Sequence, residues 1–116
     1  MSKFEIKRSE DQYHFVLVAK NGRVILSSEM YESKAGAITG INSVKENSKL
    51  RNNFETKYSK DDKVYFVLKA GNGEVIGTSE MYERLSGVFK GISSVKVNAP
   101  KAAVYEVGMD PYKEEE

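Results

Sequence analysis

The sequence predicts an α+β fold in which two tandem β-β-β-α-β repeats share one antiparallel sheet, with two helices packed on one face. The chain aligns with itself at an offset of 51 residues, so that residues 14–47 match residues 65–98 at twenty of thirty-four positions. A self-match of this kind indicates a duplicated unit. Within each copy, two apolar runs flank an Asn-Gly pair, and a segment of helical period follows.

The Asn-Gly pairs, Asn21-Gly22 and Asn72-Gly73, predict hairpins with two-residue type I′ turns, because both residues of such a turn must tolerate positive φ. A turn of this type also fixes which residues face each other across the hairpin. The expected facing pairs are Ala19 and Val24, Leu17 and Leu26, Phe15 and Ser28, and in the second copy Ala70 and Val75, Leu68 and Gly77, Phe66 and Ser79.

The segments after the hairpins carry apolar residues at helical spacing and should cover the Phe-Leu-Ala face of the sheet. The predicted apolar stripes are Ile38, Ile41 and Val44 in the first copy, and Leu85, Val88, Phe89, Ile92 and Val95 in the second.

Paired glycines interrupt both predicted helices, at Gly36 and Gly40 and again at Gly87 and Gly91. A glycine inside a helix costs about 1 kcal/mol relative to alanine, so four of them call for a compensating interaction. Close approach of the helix to the sheet or to the other helix is the structural explanation. A groove that exposes backbone to a partner is the functional one, and packing is favoured.

Related strand patterns at 3–8, 53–58 and 103–107 frame the two copies. We expect one domain over residues 1–110, made of repeats at about 3–52 and 53–108, with the strand at 53–58 shared and a pseudo-twofold around it. Half of such a chain would bury too little apolar surface to be stable alone. The charged end of the sequence, residues 109–116, is expected to be a flexible acidic tail.

Composition excludes several classes of function. The 116 residues include no cysteine and one histidine, and the formal net charge is +1. Disulfides and thiol chemistry are therefore excluded, and we expect neither a metal nor a cofactor. The start of the chain has no signal-peptide pattern and no run of apolar residues could span a bilayer, so a cytoplasmic monomer that does not bind membranes is expected.

The motifs "NGEVI", "SEMY" and "GI.SVK.N", together with Ser33-Lys34 and the tandem organisation, resemble the YegP-like family of small bacterial proteins, a domain of unknown function. The resemblance runs from about Phe4 to Val107. It implies an α+β fold of β-β-β-α-β units whose C-terminal strands are exchanged between halves. It brings no catalytic residue and no known ligand. The second copy has Arg84-Leu85 in place of Ser33-Lys34, so a role that needs this pair in both halves is in doubt.

The repeated "SEMY" motif has two interpretations. It could hold a polar ligand twice, or it could be a structural joint where the second hairpin strand passes to the helix, and the joint is favoured because any copy of the fold must contain it. The joint residues are Ser28, Glu29, Tyr31, Ser79, Glu80 and Tyr82.

The sheet face away from the helices is the remaining candidate site, because an apolar stripe on an open antiparallel sheet suggests contact with a partner. The alternative is that β-branched residues are simply good strand formers. The candidate interaction face comprises His14, Val16, Val18, Ile25, Tyr65, Val67, Lys69 and Ile76.

These observations favour a small non-catalytic binding or interaction protein that uses the open sheet face to contact an unknown protein or small ligand. The alternative is weak binding of single-stranded nucleic acid through Tyr65, Lys69 and neighbouring basic residues, although the near-neutral charge argues against it. No catalytic site is expected, because His14 is replaced by Tyr65 in the second copy and no triad or carboxylate pair can be assembled.

Overall fold

A computed structural model describes residues 2–107 of the chain. In those residues seven strands form one sheet in the order β4-β5-β6-β3-β2-β1-β7, and two helices pack against it. Short 3₁₀ turns at Arg51–Asn53 and Ala99–Lys101 follow the helices. The elements are β1 Lys3–Ser9, β2 Gln12–Val18, β3 Val24–Ser27, α1 Lys34–Asn47, β4 Phe54–Tyr58, β5 Val64–Lys69, β6 Val75–Thr78, α2 Leu85–Asn98 and β7 Ala103–Glu106.

The two halves meet at β3 and β6, where Ser27 pairs with Thr78. These residues are 51 positions apart, which is the repeat offset, so the pseudo-twofold axis passes between them. The α+β class and the single sheet are confirmed, but the expected twofold around a shared strand at 53–58 is wrong. A short loop joins β4 to β5 in a hairpin, and β4 therefore lies beside β5 at the outer edge of the sheet.

The last strand breaks the symmetry of the sheet. After α2 the chain crosses to the first half, where β7 pairs with β1 in parallel, for example Phe4 with Val104. All other strand pairs are antiparallel, so the described sheet is mixed and not wholly antiparallel. The predicted tail at 109–116 lies outside the described residues.

The long hairpins use a different turn from the predicted one. Gly22 has a φ of +88°, whereas Asn21 is not among the residues with positive φ. The Ala19 N–H donates to the Arg23 carbonyl over 2.8 Å, so the loop has three residues and the glycine forms a G1 bulge. Gly73 repeats this geometry. The predicted pairs Ala19 with Val24 and Ala70 with Val75 are therefore wrong, because Ala19 faces Arg23 and Ala70 faces Glu74.

The other four predicted pairs are confirmed. They are Leu17 with Leu26, Leu68 with Gly77, Phe15 with Ser28 and Phe66 with Ser79.

A second irregularity in each hairpin moves two predicted site residues into the core. The register shifts between Leu17 and Val18, so that Val18 pairs with Val24 and Ile25 is the extra residue of a bulge. Ile25 belongs to the hydrophobic core cluster, and its counterpart Ile76 does too. The placement of Ile25 and Ile76 on the open face is therefore wrong.

The core lies between one sheet face and the inner sides of the helices. The prediction that Ile38, Leu85 and Phe89 belong to it is wrong, because these residues face outward and are at least 40% exposed. The inner helix faces instead contain the repeated glycines and Ala37. The largest fully buried side chains are Phe4, Phe15, Phe66, Ile6, Leu17, Leu26, Ile41, Leu68, Ile92, Val44, Val88 and Val95.

Candidate functional site

The serines of the "SEMY" motif fix the point where each hairpin strand leaves the sheet. Ser28 Oγ accepts a hydrogen bond from the Phe15 N–H over 2.9 Å and donates to the Glu29 carbonyl over 2.7 Å. Ser79 makes the same two contacts, to Phe66 and Glu80, over 2.9 and 2.8 Å. One hydroxyl thus replaces a missing ladder bond and holds the next peptide unit, which leaves it no free capacity to donate to a ligand.

The tyrosines of the same motif explain three of the four repeated glycines. The Tyr31 ring stacks on Phe15 at 6.0 Å between centroids and lies under α1. A Cβ atom at Gly40 would lie 2.8 Å from Tyr31 Cζ and 2.9 Å from Phe15 Cε2. Gly91 has the same relation to Tyr82 and Phe66 in the second half. Gly40, Gly87 and Gly91 therefore allow each helix to lie directly on its own tyrosine, whereas a Cβ atom at Gly36 would lie 3.5 Å from Tyr31 Cδ1, an ordinary contact distance.

The acids of the motif differ between the halves. In the second half, Glu80 forms an ion pair with Arg23 of the first hairpin, with 2.9 Å between Glu80 Oε1 and Arg23 Nη2. This pair joins the two halves at the surface. The symmetric ion pair cannot form, because Glu74 occupies the position of Arg23 in the second hairpin and would face Glu29.

The tyrosines of the motif have raised pKa values. Burial raises the pKa of Tyr31, and the negative charge of Glu29 raises it further. Burial likewise raises the pKa of Tyr82, and the negative charge of Glu80 adds to this effect.

The open sheet face carries the other predicted residues, but its apolar stripe is not exposed. Val16 and Val67 are each 5% exposed and Val18 is 7% exposed. Val16 lies between Glu5 and Ser27 on the neighbouring strands, and Val67 lies between Glu55 and Thr78. Polar side chains therefore border the valines, and a partner would meet a charged surface. Lys69 and Tyr65 also lie on this face, in the second half.

His14 sits on the same face of β2, opposite Lys7 on β1. Burial lowers the pKa of His14, and the positive charge of Lys7 lowers it further. Its Nδ1 atom is buried and has no hydrogen-bond partner among the described residues. The position favours the neutral imidazole.

A cavity of about 790 Å³ opens on this face in the first half, between β1, the first hairpin loop and β7. Its volume is within the range of ligand sites in proteins. Val18 and Val24 form part of its floor, and Tyr105 of β7 stands at its side with 56% of its surface exposed. The polar side chains that line it are Ser2, Lys3, Glu5, Lys7, Lys20 and Lys101.

The charges around this cavity are unbalanced. Lys3 contacts Glu5 over 3.3 Å and lies 5.7 Å from the centroid of the Tyr105 ring. Among the described residues that glutamate is the only acid in the lining, against four lysines. Within residues 2–107 the lysines that form ion pairs are Lys3, Lys34, Lys49, Lys57, Lys63 and Lys69, so the other three cavity lysines lack one there.

On the same face of the second half, the charged side chains form ion pairs with each other. Glu55 contacts both Lys69 and Lys57, the latter over 3.5 Å. The hydrogen bond from Lys69, followed by the charge of Lys57, lowers the pKa of Glu55. Beyond β4 no further strand extends the described sheet. This side therefore has neither the wall that β7 supplies nor unpaired charge like that in the first half.

Sequence reasoning missed the cavity because it did not place β7. Of the predicted face, only Val18 lines the cavity. The sequence did contain a signal for this strand. Related strand patterns occur three times, at 3–8, 53–58 and 103–107, but the chain has only two repeats, so one of these strands had to lie outside the symmetric arrangement.

Among residues 2–107 no group of histidine, cysteine, aspartate and glutamate side chains could hold a metal ion. Neither helix is long or apolar enough to cross a bilayer.

The fold places the chain in a class of α+β proteins in which two copies of a β-β-β-α unit form one sheet and a final strand completes it. A family model described as a domain of unknown function, DUF1508, matches residues 9–55 and again residues 59–106. The chain therefore belongs to this family, and the resemblance to YegP-like proteins is confirmed.

Relatives are similar over nearly their whole length. The UPF0339 protein YegP of Yersinia pestis is 46% identical over 90% of this chain and 94% of its own. The Pseudomonas aeruginosa UPF0339 protein PA0329 is 43% identical over 89% of this chain and 94% of its own. The solution structure of Escherichia coli yegP, described as a protein of unknown function, matches with a TM-score of 0.87 at 41% identity, over 94% of this chain and 95% of that one.

Proposed function

We propose that this protein is a non-catalytic binding protein whose ligand site is the cavity between β1, the first hairpin loop and β7, and that its ligand is a small organic anion. The observation that supports this most directly is the charge of the lining, in which four lysines and one glutamate surround a cavity of about 790 Å³. Lysine ammonium groups bind phosphate and carboxylate oxygens as compact, rotatable donors.

Other features of the cavity agree with such a ligand. The exposed ring of Tyr105 offers a flat surface for a planar or aromatic group. The one acid, Glu5, is already neutralised by Lys3. Binding is favoured over catalysis because the lining includes no histidine and pairs no nucleophile with a base.

A titration of ¹⁵N-labelled protein at low salt with inorganic phosphate, pyrophosphate and adenosine monophosphate tests the proposal. We expect chemical-shift changes at β1, β7 and the loop around Gly22, with millimolar or tighter affinity. Lys7→Gln should weaken binding several-fold. Lys57→Gln is the matched control, since Lys57 follows Phe-Glu-Thr in β4 as Lys7 follows Phe-Glu-Ile in β1, and it should leave binding unchanged. If none of the three probes shifts these resonances at millimolar concentration, the proposal is wrong.

The position of Tyr105 beside the lysines also favours a second candidate, single-stranded nucleic acid. Phosphates would contact the lysines and a base would stack on the ring. Oligothymidylates of increasing length distinguish the two. Affinity that increases with length and falls steeply with salt would favour nucleic acid, whereas equal affinity for mononucleotide and oligomer would favour the small anion.

A further inference from the structure

The outer sides of β1 and β4 are related by the pseudo-twofold, but within residues 2–107 a further strand pairs only with β1. Beside β1, the Val107 N–H donates to the Ile6 carbonyl over 2.9 Å as β7 runs parallel to β1. At the other edge β4 pairs only with β5 among the described strands. Because Thr56 faces Phe66 as Ile6 faces Phe15, Thr56 is the counterpart of Ile6.

The backbone of β4 directs N–H and C=O groups toward the position that corresponds to β7. The Ser79 N–H donates to the Phe66 carbonyl and the Phe66 N–H donates to Ser79 Oγ, so Phe66 directs its polar groups toward β6. Residues facing each other in an antiparallel pair either bond mutually or both point away. Thr56 therefore directs its N–H and C=O outward. Phe54, which faces Leu68, offers no such groups, because its N–H donates to the Arg51 carbonyl and its C=O accepts from Arg51 Nη1 over 3.4 Å.

We propose that the outer edge of β4 is a docking site for an extended peptide segment that runs parallel to β4, as β7 runs parallel to β1. Recognition by addition of a strand uses main-chain hydrogen bonds for affinity and alternate side chains for specificity. The molecule shows in its first half what such a strand must provide.

The flanking helix sets the side-chain preference at this edge. In the first half Lys34, at the start of α1, contacts Glu106 of β7 over 2.5 Å. Its counterpart at the start of α2 is Leu85, which is 41% exposed. A strand beside β4 should therefore carry an apolar residue where β7 carries glutamate. It should carry no acid opposite Glu55, whose charge is already neutralised by Lys69 and Lys57.

The chain's own last strand provides the probes. One peptide has the sequence of residues 101–107, and a second carries Glu106→Leu in that sequence. With ¹⁵N-labelled protein, we expect the leucine peptide to shift the amides of Phe54, Thr56 and Leu85 and to bind about two- to five-fold more tightly than the glutamate peptide.

Two variants make the test specific. Leu85→Lys recreates the Lys34 to Glu106 pairing in the second half and should reverse the preference in favour of the glutamate peptide. Thr56→Pro removes an outward N–H without removing a bond to β5, a position where edge strands accept proline. It should abolish binding of both peptides while the amide spectrum of the rest of the sheet remains native.

Three results would overturn the proposal. They are no shift at β4 at millimolar peptide, shifts confined to β1, or β4 resonances that change with protein concentration in the absence of peptide. The last result would show that a second copy of the chain occupies this edge. None of these results bears on anion binding at the cavity, because the cavity lies between β1 and β7, at the opposite end of the sheet from β4.

Discussion

The open face of the first half and that of the second half derive from one duplicated pattern, yet they offer different surfaces. Both have a buried valine beneath polar neighbours, with Val16 next to Glu5 and Val67 next to Glu55. The first half gains β7, and with it a cavity whose lining includes three lysines that form no ion pair within residues 2–107. The second half has an ion-paired surface that ends at β4. Duplication thus preserved most of the interior, while the added strand made the exteriors different.

The largest expected effect concerns the centre of the sheet, where the halves are unequal inside as well. Leu26 is fully buried and fills the space beside Gly77, where a Cβ atom would lie 2.7 Å from Leu26 Cδ2. Leu26→Ala should lower the free energy of unfolding by about 2–5 kcal/mol because it leaves a cavity. Gly77→Ala should lower it by about 1–3 kcal/mol through overpacking.

Urea unfolding of both single variants and the double variant measures this coupling. The double variant should be more stable than the sum of the two effects predicts, because the shortened Leu26 side chain makes room for the new methyl group. Strict additivity would show that the two positions do not share this space.

The glycines under the tyrosines should show that the rest of the interior is symmetric. Gly40→Ala and Gly91→Ala each force a methyl group against a tyrosine and a phenylalanine ring, so each should lower the free energy of unfolding by about 1–3 kcal/mol. Denaturant melts should give similar values for both. A stabilised variant, as expected for alanine in an ordinary helix interior, would contradict the packing described for these helices.

The helix starts should respond in opposite directions. Ser33 Oγ accepts a hydrogen bond from the Gly36 N–H over 2.9 Å, whereas Arg84 gives α2 no side-chain cap. Ser33→Ala should cost about 1 kcal/mol, and Arg84→Ser should add a similar amount of stability. Thermal melts of the two variants check this, and a neutral Arg84→Ser would show that α2 does not need a capping side chain.

The smallest expected effect is on the dependence of stability on pH. The folded pKa of His14 lies below its unfolded value of about 6.5. The unfolded chain therefore takes up a proton first as pH falls, and the contribution of His14 to stability is complete above that value and declines below it. His14→Tyr, which copies Tyr65, should reduce the loss of stability between pH 7.5 and pH 5.5 in urea melts. An unchanged pH dependence would contradict the assignment.

The sequence was sufficient for the parts of the fold that depend on local pattern. Period and repeat predicted both hairpins and both helices. The Leu17 to Leu26 pairing was correct although the turn was not, because the extra residue at Ile25 restores the register that the three-residue loop shifts. Sequence pattern failed at the bulges, because the extra residues Ile25 and Ile76 place their side chains on the opposite side of the sheet from the one that strict alternation predicts. No propensity marks that change, since isoleucine suits either face.

The candidate site could not be predicted for a different reason. The cavity depends on a contact between β1 at the start of the chain and β7 near residue 105, and strand order is a property of the whole fold. The lysines around it were visible in the sequence, but charge that is scattered along the chain becomes a site only when the topology brings it together.

The fit of Leu26 beside Gly77 has a consequence for how the two halves would assemble if they were made as separate chains. Two copies of the first half would bring leucine against leucine at the axis, and two copies of the second would leave an empty space between glycines. A mixed pair alone would fill the junction, so each half made as a separate chain should associate with the other half in preference to a second copy of itself.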